Sequence, residues 1–212
     1  MKNKTQKKHT SNRTPFYTFA RFILRIFFFL VYRSKCVGKE KLDRDAPFII
    51  ASTHQSMMDP LLIAHYTKRH EIRFLGKDSL RKNFILRWIL DKLHMIPVKR
   101  DSTDMKAMRT CINVLKDGHV LGIFPEGTRK ETHELDDMRT GVGIIALRSK
   151  APIIPIYFDR KPTPFKTTTI YVGDEIPYDD ILEHGTDKDA CNMLMDRIHI
   201  HTDELRKQAK SA

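Results

Sequence analysis

Two residues in "STHQSMMDP", residues 52 to 60, carry side chains suited to proton transfer: His54, and Asp59 five positions on. A histidine titrates near neutrality and can take a proton from an alcohol, while a carboxylate on its other ring nitrogen holds the ring and steadies the imidazolium that forms. Within a regular helix an offset of five would point the two side chains about 140° apart, at roughly 100° per residue, so they can meet only in a turn. Pro60 bears on that. Proline suits the start of a helix and disfavours helical backbone in the residue before it, so Asp59 is expected as the N-cap of "PLLIAHYTKR", with His54 in the connection after the apolar run "APFIIA". Locally two alternatives stay open: a base with its orienting carboxylate, or a strand end and helix cap beside an incidental histidine.

Three other stretches place chemistry at strand ends. "GIFPEGTRK" (122 to 130) ends an apolar run in Pro125, Glu126, Gly127, Thr128 and Arg129, a tight loop that would project Glu126 and Arg129 at the same sheet edge as His54. Its bland alternative is a surface turn with a solvated ion pair. "MIPVKRD" ends in Lys99 and Arg100, and "APIIPIYF" carries Pro152 and Pro155 in an apolar run. Prolines are disfavoured inside central strands, so these two point to an edge strand or an irregular wall.

The elements that must position these residues are legible as alternation. Runs at 47–52, 71–76, 94–99, 119–124, 152–158 and 167–173 read as strands, separated by patterns of helical spacing, with Asp78 and Ser102 as expected N-caps and Gly118 as a stop. Such alternation predicts an α/β fold: a largely parallel central sheet flanked by helices, with functional groups at the carboxyl ends of its strands. Residues 45–212 are read as the catalytic domain and 1–44 as a basic N-terminal arm.

Of the 38 Lys and Arg, 12 lie in residues 1–44 against two acids, so the arm holds +10 of the net +12 and the body is nearly neutral. That distribution argues against nucleic acid as a partner. From Phe16 to Tyr32 the arm is apolar and aromatic over 17 residues, interrupted by Arg21 and Arg25. This is short of the roughly 20 residues that span a bilayer core, so the expectation is a helix lying on the membrane, with a helix packed on the domain as the alternative. Nearby Lys and Arg add about 1 kcal/mol each on anionic lipid. Cys36, Cys111 and Cys191 match no disulfide or metal spacing, and the histidines suggest no metal site.

Taken together, the four stretches resemble the glycerolipid acyltransferase family, most closely its bacterial 1-acylglycerol-3-phosphate acyltransferases. The family's His-x4-Asp motif matches His54 to Asp59, and its Phe-Pro-Glu-Gly-Thr-Arg motif is intact from Phe124 to Arg129. Its strand-ending arginine falls on Arg100, a basic residue ahead of a glycine on Arg139 before Gly141, and its proline-containing strand on Pro152 to Pro155. Lys99, Lys130 and Met138 depart from common family choices, which bears on acceptor identity more than on reaction type.

The resemblance implies transfer of a fatty acyl group from a thioester, acyl-CoA or acyl carrier protein, to the free hydroxyl of lysophosphatidic acid, giving phosphatidic acid for phospholipid synthesis, without metal or other cofactor. It implies His54 as base and Asp59 as its partner. Arg100, Glu126, Gly127, Thr128, Arg129 and Arg139 would bind substrate, and Pro152, Ile153, Ile154 and Pro155 would wall an acyl channel or simply pack the core. Arg81, Lys82, Arg87 and Lys92 form a basic helix that could dock an acidic acyl carrier protein, face a membrane, or be solvated. The implied location is peripheral, on the cytoplasmic face of the cell membrane. The alternatives are the same chemistry on glycerol 3-phosphate or another lysolipid, and a non-catalytic protein that binds anionic lipid.

Overall fold

The computed structural model describes residues 13–98, 104–125 and 133–211. Its centre is β2 (Phe48–Ser52), buried along its whole length. Strands covered on both faces read as continuous apolar runs, which is why "FIIAS" lacks polar alternation. Phe48 and Ile50 point into one core layer, and Ile49 and Ala51 into the other.

Six further strands flank it: β1 (Ser34–Val37), β3 (Ile72–Lys77), β4 (Ile96–Val98), β5 (Val120–Ile123), β6 (Ile153–Phe158) and β7 (Thr168–Val172). They form a 7-stranded sheet in the order β1-β7-β6-β2-β5-β3-β4. All neighbours are parallel except β6 and β7, so β1 and β7 run against the rest. The α/β expectation of a largely parallel sheet between helices therefore holds. One layer is closed by α4 (Met105–Lys116), α5 (His133–Ser149) and α7 (Lys188–Ser211), with the short α6 (Asp179–Leu182) beside α7; the other by α1 (Pro15–Leu30) and α2 (Asp59–Tyr66), with α3 (Phe84–Lys92) alongside.

Several expectations are corrected. Residues 34–37, assigned above to the arm, form β1 and pair with β7, so the sheet begins before residue 45. With two polar residues in four, "SKCV" carries too little apolar signal to be read as a strand. Pro152 and Pro155 do not mark an edge strand, since β6 lies between β7 and β2. The Pro155 carbonyl accepts from the Gly173 amide on the β7 side, so its missing N–H also falls on that side, just beyond the last antiparallel pair, Ile156 with Val172. Of the two bonds that the Pro155–Gly173 pair could make, only the one donated by proline is forgone, and it falls at the end of the antiparallel ladder, which is what lets proline sit in an interior strand. The α4 cap is Asp104, whose side chain accepts from the Ala107 amide at 2.9 Å, rather than Ser102. Gly118 does end α4, with φ of 79°. The pattern at 78–93 is broken in two: a 3-10 segment at Asp78–Lys82, then α3, capped by the Asn83 side chain on the Leu86 amide at 3.0 Å.

Helix α1 starts on Thr14 as cap and Pro15 in its first turn. Its Tyr17 and Phe28 are buried in the second core layer, whereas Phe19, Phe22, Phe29 and Leu30 face outward. Arg21 donates to the carbonyls of His65 and Lys68 at 3.2 and 3.1 Å, at the carboxyl end of α2, where a cation meets unpaired carbonyls and the negative end of the helix dipole. Glu71, almost fully buried, accepts from the Thr14 amide and hydroxyl at 3.1 Å each and from His94 Nδ1 at 2.5 Å. The helix is thus both packed on the domain and apolar on its outer side. Among the described residues no helix is long and apolar enough to cross a membrane.

Candidate active site

The parallel order puts the carboxyl ends of β2, β5 and β3 at one edge, and the turn from β2 into α2 carries His54 there. His54 Nδ1 lies 3.1 Å from Asp59 Oδ2. The same oxygen accepts from the amides of Gln55 at 2.6 Å and Ser56 at 2.7 Å, so one carboxylate organises the whole turn. Asp59 is therefore not the N-cap expected from the sequence. Met58 takes that position without a side-chain bond, and Asp59 opens the helix with its side chain turned back on the connection. Pro60, one residue later, supplies an already shaped helical φ and needs no partner for a donor it lacks.

Burial separates the two partners. Asp59 is 0% exposed while the His54 side chain keeps 26% of its surface, so the carboxylate is withdrawn and the imidazole is reachable. Among the described residues Asp59 Oδ1 is buried without a hydrogen-bond partner. The turn is also tied to the sheet: Gln55 Nε2 donates to the Phe158 carbonyl at 2.9 Å, and Thr53 Oγ1 accepts from the Phe158 amide at 3.3 Å. With Nδ1 donating to the carboxylate, the ring's lone pair sits on Nε2, the form a general base requires.

An aromatic column backs the imidazole. The Phe124 ring lies 4.3 Å from His54, centroid to centroid, tilted by 32°, and Phe74 stacks behind Phe124 at 6.0 Å and 14°. Gly122 makes room for that column, because a Cβ there would come within 2.3 Å of the Phe74 ring. The face of Phe124 packs on the imidazole and helps fix the plane in which the ring presents Nε2. Sequence reasoning missed Phe74 and Gly122; their only signal was a glycine inside an otherwise apolar strand, which often marks close approach of another group.

Phe124, just past the end of β5, is placed next to His54, and Pro125 follows it, but Glu126, Gly127, Thr128 and Arg129 lie outside the described residues, as does Arg100. Arg139 falls on α5, with its side chain likewise outside them. Ile153 and Ile154 are fully buried in opposite core layers, so they share a strand and not one wall. Burial pushes the Cys36 and Cys111 thiols up to about 12 and raises Cys191 as well, so none of the three is poised as a thiolate nucleophile. Among the described residues no three His, Cys, Asp or Glu side chains gather as a metal site would require.

The family model described as "Acyltransferase" matches residues 33–159, more than half of the chain. The chain belongs to the acyltransferase family. It is thus an enzyme that transfers acyl groups, and the matched span runs from just before β1 to just after β6, taking in His54, Asp59, Phe74, Gly122 and Phe124. The 1-acyl-sn-glycerol-3-phosphate acyltransferase of Bacillus subtilis is 33% identical over 139 residues, 66% of this chain and 69% of that protein. The enzyme of the same name from Streptococcus pneumoniae is 26% identical over 155 residues, covering 72% and 57%. In structure, this acyltransferase resembles the crystal structure of the 1-acyl-sn-glycerophosphate (LPA) acyltransferase PlsC from Thermotoga maritima with a TM-score of 0.63, over 92% of this chain and 77% of that one. At 19% identity that likeness concerns the fold.

Proposed function

We propose that this acyltransferase moves a fatty acyl group from an acyl thioester, acyl-CoA or acyl carrier protein, to the free hydroxyl of lysophosphatidic acid, giving phosphatidic acid. The observation that carries the reading is the 3.1 Å contact between a reachable His54 and a fully buried Asp59, in a family member whose named relatives act on 1-acylglycerol 3-phosphate. The thioester is already activated, so the alcohol is the partner that needs help. Its hydroxyl proton passes to His54 Nε2 as its oxygen attacks the thioester carbonyl. Asp59 holds the resulting imidazolium. Collapse of the tetrahedral intermediate breaks the carbon–sulfur bond, and the imidazolium proton passes to the departing thiolate, leaving ester, thiol and neutral histidine. Attack is direct, without an acyl-enzyme, in keeping with the raised thiols.

The acceptor's phosphate is held by Arg100, Arg129 and Arg139, whose guanidinium forks suit phosphate oxygens, and Glu126, Gly127 and Thr128 contact the glycerol end. Support for these six is the intact motif spacing. No metal or other cofactor enters these steps. The enzyme works from the cytoplasmic face of the membrane, held peripherally by the outer side of α1. The test is a panel of acceptors offered to the purified chain with labelled acyl-CoA and acyl carrier protein. Lysophosphatidic acid should give the highest kcat/KM; a preference for glycerol 3-phosphate or another lysolipid would replace the acceptor, and absence of transfer from either donor would overturn the reading.

A further inference from the structure

Helix α3 has the sequence "FILRWILDK" and, unlike α2 and α4, not one of its residues is buried. Phe84 is 81% exposed, Ile85 61% and Trp88 52%. Burying a side chain of this kind stabilises by about 1.5–3 kcal/mol, so a helix leaving three of them in water forgoes the usual reason for an amphipathic helix to dock. Exposed apolar surface that is contiguous marks an interaction site. Contiguity is supplied by the ring of Trp88, which meets Phe16 of α1 edge-on at 5.4 Å and 84°, joining the outer side of α3 to that of α1.

Charge selects the occupant. Within residues 78–92 the acids are Asp78 and Asp91, and Arg81 engages both, at 3.9 and 2.7 Å, while Lys82, Arg87 and Lys92 add positive charge around the apolar residues. Aromatic and aliphatic side chains rimmed by cations match the boundary of an anionic bilayer, where rings sit at headgroup level and cations meet lipid phosphate. An acidic carrier protein would be met by the cations but would leave Phe84 and Ile85 uncovered. Position agrees as well. The segment leaves the carboxyl end of β3, and β3, β5 and β2 are parallel neighbours, so α3 begins at the edge that carries His54. Met57, inside the His54 turn, is itself 58% exposed.

We infer that α3 is a second membrane-inserting element, which joins α1 through the Phe16–Trp88 contact and seats the His54 edge of the sheet against the lipid surface. The inference rests on the peripheral location proposed above and adds the element that orients the active site, so that a lysolipid need not leave the leaflet to reach it. Trp88 is the sole tryptophan of the chain, which makes it a native probe. The experiment uses the full chain with vesicles of phosphatidylglycerol and phosphatidylcholine, reading sedimentation and Trp88 emission together, then repeating with lipids brominated on their acyl chains. The expected result is a blue shift and bromine quenching in the sedimenting protein. The variant Phe84→Ser/Ile85→Ser, which removes no core packing and keeps the probe, should partition roughly tenfold or more weakly. Sedimentation with unshifted, unquenched emission overturns the inference while leaving α1 as the anchor; no sedimentation at all overturns the peripheral location with it. A shift that appears on concentrating the protein without lipid, or on adding acyl carrier protein alone, assigns the face to self-association or carrier docking and equally overturns it.

Discussion

The edge around His54 and the outer side of α1 and α3 are built on opposite terms. At the edge a single carboxylate oxygen accepts three hydrogen bonds, the turn is pinned to β6 through Gln55 and Thr53, and two phenyl rings stand behind the imidazole. On the helical side Phe22, Phe29, Phe84 and Trp88 face outward, and the fixed contacts lie underneath, at Tyr17, Arg21 and Phe28. The contacts described in the first region are all made within the chain. The second leaves its apolar side chains uncovered among the described residues. Substitutions at the edge should therefore change the rate of transfer and leave lipid partition alone, and substitutions on the helices should do the reverse.

The sharpest way to break that division is Asp59→Asn. The amide keeps the shape but loses the charge that steadies the imidazolium and accepts from the Gln55 and Ser56 amides. We expect kcat to fall by roughly 100- to 10,000-fold, the span associated with a positioned acid–base group, with vesicle sedimentation unchanged. Equal losses of transfer and partition would show that the two regions are one.

On the helical side the buried half of α1 can be tested by pH. Burial pushes the Tyr17 phenol up to about 12, and its oxygen accepts from the Ile72 amide at 3.4 Å. A folded-state pKa above the unfolded value of 10.0 contributes stability that is full below pH 10 and lost as pH rises toward 12, because the unfolded chain gives up its proton first. Tyr17→Phe should remove part of the fall in stability in that window, roughly 1 kcal/mol, as read from denaturant titrations of both proteins at pH 9 and pH 11. Tyr178, Cys36 and Cys111 share the window, so the difference between the two proteins is the quantity that counts. Identical slopes would contradict the packing of α1.

Phe124→Leu should have a smaller effect. Losing the ring that backs the imidazole costs about 1 kcal/mol of aromatic contact and positioning, roughly a fivefold fall in kcat. A kcat equal to the parent's would show that the ring does not position the imidazole.

How much of this was legible in the sequence depends on which force sets each feature. The central strands were readable because a strand covered on both faces is apolar throughout, as in "FIIAS" and "VLGI". Strand β1 was not, since Ser34 and Lys35 dilute a signal only four residues long. Spacing brought His54 and Asp59 together as candidates, and Pro60 correctly announced a helix start. The direction of the Asp59 side chain escaped, because capping forward onto the helix and backward onto the turn use the same residue types and differ only in backbone shape. The interior place of Pro155 escaped for a similar reason: whether a missing N–H matters depends on where the neighbouring ladder ends, which is a property of β7. The aromatic column needed β3 and β5 to be adjacent, and adjacency is not written in either strand. For Arg100 and residues 126–129 the motif remains the guide, as they lie outside the described residues.

The central claim is that His54 takes the acceptor's proton. Its most direct test is single-turnover acyl transfer to lysophosphatidic acid by His54→Ala, beside circular dichroism and vesicle sedimentation of the same preparation. Transfer should fall by roughly 100-fold or more with fold and partition intact. Transfer within a few-fold of the parent would contradict the claim and return His54 to an incidental histidine at a strand end.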